Sequence, residues 1–519
     1  MRRNPFASAL CGLACLALAA CGGGGGGSGG TTPTPPPPPP TGGGSSPYAV
    51  PGAEALTSAD VQRVLAQGVA EARARNAPAV LAVVDRVGNV LTVYTMTGAR
   101  PTALIRPGPG GNLDIQGATV PATAAAIAKA ITGAYLSSGA HAFSTRTASM
   151  IVQENFPPGP QSAGLESGPL FGVQFSQLPC SDVAARFSAG GGAGAAIGPK
   201  RSPLGLSADP GGFPLYKNGV LVGAVGVMAD GDYGYDKNTF DIDNDDEENV
   251  ALAATSGFDA PDSIRAERIS IDGTILRYSD ATAATLKAAP SSAVPFANLP
   301  AGTGALTPVT GYYAGAVVLP GQVYGSEVSG VRPATAAEFS QPGAFVLTNG
   351  ASQNRYPVRA GTDAAQAGTP LSAAEVTALL EEAFKVMVRT RAQIRQPLDS
   401  RAQMSIAVTD TNGVVLGLVR APDAALFGTD VAVQKARSVS FISSPFAAPD
   451  LLADPSADVR GFVAATRAFF PDPNALTGKT AFGNRSIGNL ARPHFPDGEQ
   501  SRPNGPFSRP IGQWSIFST

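Results

Sequence analysis

Histidine, cysteine and tryptophan are scarce in this chain of 519 residues, which has two, four and one of them respectively. Three of the cysteines lie within the first 21 residues, so Cys180 is the only one in the remaining body. One cysteine excludes an intramolecular disulfide in that body, and a zinc or iron–sulfur site built from the cysteines of one chain. We expect Cys180 to be a small buried residue, with a free thiol as the alternative.

Charged residues are also few, at 15% of the chain, and they nearly balance to a formal net charge of −2. The chain has no excess of basic residues of the kind that would indicate nucleic-acid binding. Residues 189–202 are glycine-rich, but Pro199 separates Gly198 from Lys200 and breaks the P-loop spacing. A Gly-x-Ser-x-Gly spacing at 26–30 lies in a glycine run where no strand-to-helix elbow can form. The sequence therefore favours a non-catalytic protein.

The N-terminal residues resemble a bacterial lipoprotein signal. Two arginines precede an apolar stretch over 6–20, which is too short to span a bilayer. The stretch ends in Leu18-Ala19-Ala20-Cys21, which is similar to a lipobox. This resemblance implies cleavage before Cys21 and attachment of lipid such as palmitate to that residue, with an ordinary secretory signal as the alternative. Gly22 follows in place of Asp, so we expect an outer-membrane lipoprotein that faces the periplasm or the cell surface.

Residues 22–47 consist of Gly, Pro, Ser and Thr. Such a segment cannot bury enough apolar surface to offset its ordering entropy, so we expect a tether rather than a folded element. A disordered interaction arm is the alternative. The predicted organisation is a signal peptide at 1–20, the lipidated cysteine and tether at 21–50, a first domain at 51–261, a connector with short strands at 262–370 and an incomplete second domain at 371–519.

Three sequence landmarks occur twice in the body, which indicates an internal repeat. The first is an amphipathic helix that opens with a capping-box pattern. The second is a hairpin with the shared string Ala-Val-x-Asp-x-x-Gly-x-x-Leu. The third is a helix of small residues with a central Lys-Ala pair. The copies are the opening strings at 56–61 and 371–376, the hairpin strings at 82–91 and 407–416, and the helices around Lys129-Ala130 and Lys435-Ala436.

The first copy continues with elements that the second copy lacks. A helix at about 145–155 is followed by a closing hairpin formed by 211–216 and 220–227, and then by a helix at 246–255. After Phe470, where the second copy should close in the same way, the chain is rich in Pro, Asn and Gly. We therefore expect that the chain is truncated, or that a partner supplies the missing strands by strand addition.

These landmarks, in this order, resemble the GlcG/HbpS-like heme-binding family. The resemblance covers about 56–255 well and 371–470 in part. It implies an α/β (α+β) fold, in which an antiparallel sheet is flanked by helices as in profilin- and PAS-like domains, here in tandem. It also implies a homo-oligomer and, as in some members, bound heme. The closing string carries it most: Gly211-Gly212-Phe213-Pro214-Leu215, Gly219, Gly223-Ala224-Val225-Gly226-Val227 and then Asp246-Glu247-Glu248.

The resemblance makes His141 the first candidate for a heme ligand, because heme iron takes a His, Met, Cys or Tyr side chain. His141 lies between two predicted helices, and a solvent-exposed loop histidine is the alternative reading. Tyr135 and Met150 are fallback contacts, and Lys129 could pair with a heme propionate. Core packing of Met150 and helix capping by Lys129 are the alternatives. His494 in the irregular tail is a further candidate ligand. An apolar slot for the heme could be lined by Phe143, Phe171 and Phe175, with ordinary core packing as the alternative.

A second candidate site is the acidic loop after the closing hairpin. Asp241, Asp243 and Asp245 are spaced carboxylates of the kind that calcium prefers. The EF-hand pattern fails, because Asp246 stands where Gly is needed and Leu252 where the bidentate Glu should be. The alternative is a solvated loop whose acidic residues favour the start of the next helix.

The leading hypothesis is therefore a membrane-anchored extracytoplasmic protein that binds heme or a related tetrapyrrole without catalysing a reaction. One alternative is a structural or interaction module that docks partner proteins without a cofactor. Another is an accessory protein to an oxidative pathway.

Overall fold

The computed structural model describes residues 46–106, 115–153, 156, 168–170, 173, 197–236, 238–239, 241–271, 273–309, 316–492, 495 and 503–510. Its helices are α1 Ser58–Arg75, α2 Ala122–Leu136, α3 Thr145–Ile151, α4 Asp246–Ala254, α5 Ala364–Ala367, α6 Ala373–Arg389, α7 Gly428–Ile442, α8 Ala447–Ala453, α9 Ala457–Phe469 and α10 Asn484–Leu490. Its strands are β1 Val80–Asp85, β2 Val90–Met96, β3 Thr102–Ile105, β4 Thr119–Pro121, β5 Gly212–Lys217, β6 Val220–Met228, β7 Asp232–Tyr233, β8 Ser270–Ile271, β9 Thr274–Ile275, β10 Gly304–Leu306, β11 Val331–Pro333, β12 Phe345–Leu347, β13 Ser405–Thr409 and β14 Val415–Arg420.

The opening helix of each copy begins at the predicted capping box. At α1 the amide of Asp60 donates to Thr57 Oγ1 over 3.1 Å, and the amide of Thr57 donates to Asp60 Oδ2 over 2.8 Å. At α6 the amides of Glu375 and Ser372 make the same two bonds, of 3.2 and 2.8 Å. These bonds satisfy amides that the first helical turn cannot pair internally, and they confirm both predicted starts.

The two predicted hairpins are equivalent in detail. Asp85 Oδ1 accepts the amides of Val87 and Asn89 in the turn between β1 and β2, and Asp410 Oδ1 accepts the matching amides between β13 and β14. Gly88 and Gly413 have φ angles of 79° and 74°, which a residue with a side chain rarely adopts. Both hairpins also shift register one residue before the aspartate. These shared features explain the repeated Asp-x-x-Gly string.

The first sheet has the strand order β10-β2-β1-β6-β5, and every neighbouring pair is antiparallel. Helix α2 packs on one face, where Gly226 of β6 meets its backbone. Leu81 of β1 packs against Gly68 of α1 on the other face. The closing hairpin is therefore the predicted β5–β6 pair, and α4 is the predicted closing helix, which packs against α1.

The second sheet has the order β11-β12-β14-β13, also antiparallel, with α6 packed on β13 and β14 and α7 packed on β13. The structure confirms the predicted α+β class of antiparallel sheets flanked by helices. The predicted connector adds β10 to the edge of the first sheet, and β11 and β12 to the second sheet. It also crosses each hairpin in the same way, because the amides of Leu319 and Arg359 donate to the carbonyls of Leu91 and Leu416 over 2.9 Å.

Among the described residues, the second sheet has no strand where the first sheet has its closing hairpin. Strand β1 pairs with β2 on one side and β6 on the other, whereas the equivalent β13 pairs with β14 alone within the described residues. This observation agrees with the sequence, which contains no second closing string. No helix among the residues described is long and apolar enough to cross a membrane.

Candidate functional site

A cavity of about 660 Å³ lies at the start of β13, between the two copies. The loop between α2 and α3 lines one side of it, and the start of β13 together with α7 lines the other. This volume lies within the range of about 300–1,000 Å³ that is usual for small-molecule sites. Apolar side chains form most of the wall, among them Leu136, Phe143, Ile151, Leu170, Phe427 and Val431.

The charged side chains at this cavity are all cationic. Arg391, Arg395 and Lys435 line it, and no aspartate or glutamate is among the described residues that do so. Ser405 also lines the cavity, and its buried Oγ has no hydrogen-bond partner among the residues described. The wall is therefore apolar and positively charged, with one polar atom left unsatisfied.

His141 lies on the wall of this cavity rather than in solvent. His141 is 3% exposed, and its Nδ1 lies 2.8 Å from Ser138 Oγ. Ser138 Oγ also accepts the amides of Ala140 and His141, so the loop itself holds the imidazole. Burial lowers the pKa of His141 to about 4, and the positive charge of Arg395 acts in the same direction. The ring is therefore neutral at pH 7, which is the form that binds a metal.

A buried ion cluster joins the two copies next to His141. The Asp423 carboxylate lies 2.7 Å from the guanidinium groups of both Arg86 and Arg395, and it accepts the amide of Gly139. Burial would raise the pKa of Asp423, but the two arginines outweigh it and hold the pKa below its usual value. Arg86 also stacks on Tyr324 at 3.7 Å from the ring centroid. The cluster fixes the His141 loop against the second copy.

Comparisons with known proteins give little guidance. No family model and no curated protein match the chain. A crystal structure of the Klebsiella pneumoniae protein ORFY, described by the family model DUF336, is 20% identical and covers 40% of this chain and 91% of that one, with a TM-score of 0.22. A structure described as a PduOC:Heme complex is 16% identical and covers 39% of this chain and 95% of that one, with a TM-score of 0.23. TM-scores this low carry no argument about family or function.

Lys129, the predicted propionate contact, lies away from the cavity. Its ammonium is completely buried and forms ion pairs with Asp209, at 2.6 Å, and with Glu247. It also donates to the carbonyl of Pro210 over 2.7 Å. Because these partners already surround Lys129, the structure gives no support to a role in ligand binding. Instead, the lysine connects α2 to the chain before β5 and to α4.

Tyr135 and Met150, the other fallback contacts, do not line the cavity either. The Tyr135 hydroxyl donates to the carbonyls of Val87 and Lys200, over 3.0 and 2.6 Å, beneath the first hairpin turn. Met150 is buried in the core of the first copy. A different thioether, that of Met404, lines the cavity at the start of β13. His494, Phe171, Phe175 and Cys180 lie outside the described residues.

The acidic loop forms a cluster that differs from the predicted one. Carboxylate oxygens of Asp236, Asp241 and Asp243 lie within 4.8 Å of one another. Asp245 instead accepts the amide of Glu248 over 2.8 Å and caps α4, as the alternative reading expected. Arg146 pairs with both Asp236 and Asp243, so two of the three carboxylates already have a cation beside them. The calcium site stays a prediction.

Two other cavities are less suited to an apolar ligand. A cleft of about 1040 Å³ beside Tyr278 has charged residues of both signs in its wall, and no histidine or methionine is among the described residues that line it. A polar cavity of about 490 Å³ lies over the Asp423 cluster. No local sequence signal marks Arg395 or Asp423 as site residues. The sequence does mark Lys435, because it is the repeat counterpart of Lys129 in the copy whose sequence has no closing hairpin.

Proposed function

We propose that this chain is an exported, membrane-tethered protein that binds heme or a related tetrapyrrole in the cavity between its two copies. The observation that carries the proposal is a neutral, loop-held imidazole, that of His141, on the wall of a largely apolar cavity. The family resemblance of the sequence points to the same ligand. The function proposed is binding, with no reaction catalysed.

The residues present suit such a ligand. Metal-bound histidines usually have their second ring nitrogen engaged by a hydrogen-bonding group, and Ser138 occupies that place at Nδ1. His141 is the residue that would hold the iron of a bound heme. Met404 offers a second soft donor on the same wall. The apolar side chains would exclude water from the ring, and the cations would balance negative charge at its edge.

A hemin titration of the full chain tests the proposal. We expect a Soret shift for the wild type, and a changed axial-ligand spectrum for His141→Ala. The chain has one other histidine, so His494→Ala is a matched control and should leave the spectrum unchanged. Absence of any Soret shift in the wild type would refute heme binding, and an unchanged spectrum in His141→Ala would remove that residue from the site.

The position of the ligand can be tested on α7. Ala432 lines the cavity, whereas Gln434 on the same helix is exposed and does not. Ala432→Trp should fill the cavity and abolish hemin binding, while Gln434→Trp should bind like the wild type. Equal binding by both variants would place the ligand elsewhere.

The envelope location rests on the lipobox-like string before Cys21, which lies outside the described residues. We expect labelled palmitate to be incorporated into the wild type in a bacterial host and to be absent from Cys21→Ala. The label should be recovered with the outer-membrane fraction. Incorporation into the variant would contradict lipidation at this residue.

One observation favours a second function, that of an interaction module. Strand β13 is an edge strand with one sheet neighbour among the residues described, and such edges accept a strand from another chain. A partner or a second copy would then complete the second sheet. Light scattering of the purified chain separates the readings, because a monomer at all concentrations argues against completion by a second copy.

A further inference from the structure

Helices α2 and α7 place a lysine at the same position in two different surroundings. Each helix has 15 residues, and Lys129 and Lys435 stand at equivalent places within them. In the first copy, Asp209 and Glu247 neutralise Lys129 inside the protein. Asp209 lies just before β5, and Glu247 lies in α4, so both acids belong to the closing elements of that copy.

Among the described residues of the second copy, none supplies such an acid to Lys435. No described strand pairs with the open side of β13, where the first copy has β6. The described chain after α7 forms α8, α9 and α10 instead. The side chain of Lys435 makes no ion pair with any residue that the structure describes, and Lys435 lines the 660 Å³ cavity. The cavity thus lies at the start of the strand that lacks this neighbour, and Lys435, the counterpart of Lys129, is part of its wall.

The charge of the cavity wall specifies what can replace those acids. Arg395 is already paired with Asp423 at 2.7 Å, and Arg391 with Asp399 at 2.9 Å. Lys435 is thus the cation at this wall for which the described residues provide no counter-ion. An ammonium at the edge of an apolar cavity pairs well with an anion carried by an apolar molecule, since the apolar body removes water from around the pair.

We infer that the cavity binds an apolar ring- or chain-bearing molecule with a carboxylate, and that the carboxylate pairs with Lys435 in place of the missing Asp209 and Glu247 counterparts. This inference rests on the proposed function in its choice of cavity, and it extends it by naming the ligand class and the residue that selects it. Tetrapyrroles with propionate groups belong to this class, as do fatty acids.

Binding of hemin and of hemin dimethyl ester, whose carboxylates are blocked, tests the inference on the full chain. We expect the wild type to bind hemin roughly five- to tenfold more tightly than the ester, as suits one partly exposed charged pair. Lys435→Gln should bind both forms equally, and Lys435→Arg should keep the preference for the acid. Lys385→Gln is the matched control, because Lys385 is a half-buried lysine of α6 that pairs with Glu382 and does not line the cavity.

Each outcome decides one claim. A Lys435→Gln variant that keeps the wild-type preference for the acid overturns the role of Lys435. A wild type without preference overturns the carboxylate requirement. If the wild type binds neither hemin nor its ester, the tetrapyrrole function fails, and a dansyl-labelled fatty acid and its methyl ester then decide the inference by the same comparison. Equal affinities of the wild type for that acid and ester, or no binding of either, would overturn it.

Discussion

At the scale of single residues, Lys129 and Lys435 show how surroundings decide the role of a side chain. Replacing Lys129 with Met leaves two buried carboxylates without their cation, and we expect this change to destabilise the protein by about 3–5 kcal/mol. Lys435→Met removes an exposed ammonium and should change the free energy of unfolding by less than about 0.5 kcal/mol. Urea denaturation measures both. Similar losses for the two variants would contradict the different roles assigned to these lysines.

His141 should make stability depend on pH. The pKa of about 4 in the folded protein lies below the usual histidine pKa of about 6.5, so the unfolded chain takes up a proton at higher pH than the folded one. Stability is therefore lost as the pH falls from 6.5 through 4, by about 3 kcal/mol for this group. His141→Gln cannot titrate, so its free energy of unfolding should approach or exceed that of the wild type near pH 4. Denaturant melts between pH 7.5 and 4 measure the free energy of unfolding of both proteins. If it changed with pH by the same amount in both, His141 would not be a buried neutral imidazole.

The sequence singled out one residue that lies on the wall of the candidate cavity, and its role in ligand binding stays a prediction. His141 was singled out by its scarcity and by the family resemblance, and it lies on a cavity wall. Lys129 was considered as a contact for a heme propionate because of the family resemblance, with helix capping as the alternative. Its acids come from distant positions, so only the folded chain reveals that the lysine is already neutralised.

At the scale of elements, prediction succeeded where the signal is local. The capping boxes at Thr57 and Ser372 and the Asp-x-x-Gly turns act within a few residues, so the sequence shows them directly. The connector strands β10, β11 and β12 have three residues each, too few for a periodic pattern. They are strands because a sheet edge lies beside them, which is a property of the folded molecule.

The close contact of α2 with the closing hairpin depends on Gly226. A Cβ at this position would stand 2.2 Å from the carbonyl oxygen of Ala126 and 2.5 Å from the amide nitrogen of Ala130. Gly226→Ala should therefore destabilise the protein by about 1–3 kcal/mol through overpacking. Gly461→Ala in α9, where a Cβ meets nothing, should stabilise it by about 0.5–1 kcal/mol. Equal effects in thermal denaturation would contradict the tight packing.

At the scale of the whole molecule, residues of both copies line one cavity. The sequence predicted that the second copy lacks a closing hairpin, but it could not show that the His141 loop of the first copy would line the resulting cavity. The junction also reaches the N-terminal end of the described chain. Tyr48 packs on Phe384 and donates to the carbonyl of Ala402 over 2.9 Å. Tyr48 lies within the predicted tether of 21–50, so the last residues of that range pack on the second copy instead of forming part of a tether.

Asp423 is the residue on which this junction most depends, because Arg86 of the first copy and Arg395 of the second both pair with it out of contact with water. Asp423→Asn keeps the shape but leaves two buried guanidinium groups without a counter-charge. We expect a loss of about 3–5 kcal/mol. Since the cluster holds the copies together, the thermal unfolding transition of the variant, measured by calorimetry, should also be broader than the single transition expected of the wild type, or split into two.

The control for this junction is Asp399→Asn, which removes the partner of Arg391 at a side chain that is 83% exposed. A surface pair of this kind contributes about 0–1 kcal/mol, so the transition should keep its midpoint and its width. A split transition in Asp423→Asn together with weakened hemin binding would connect the junction to the site, because the same carboxylate accepts the Gly139 amide beside His141. A single transition at the wild-type midpoint would mean that the apolar contacts between the copies suffice without the ion cluster.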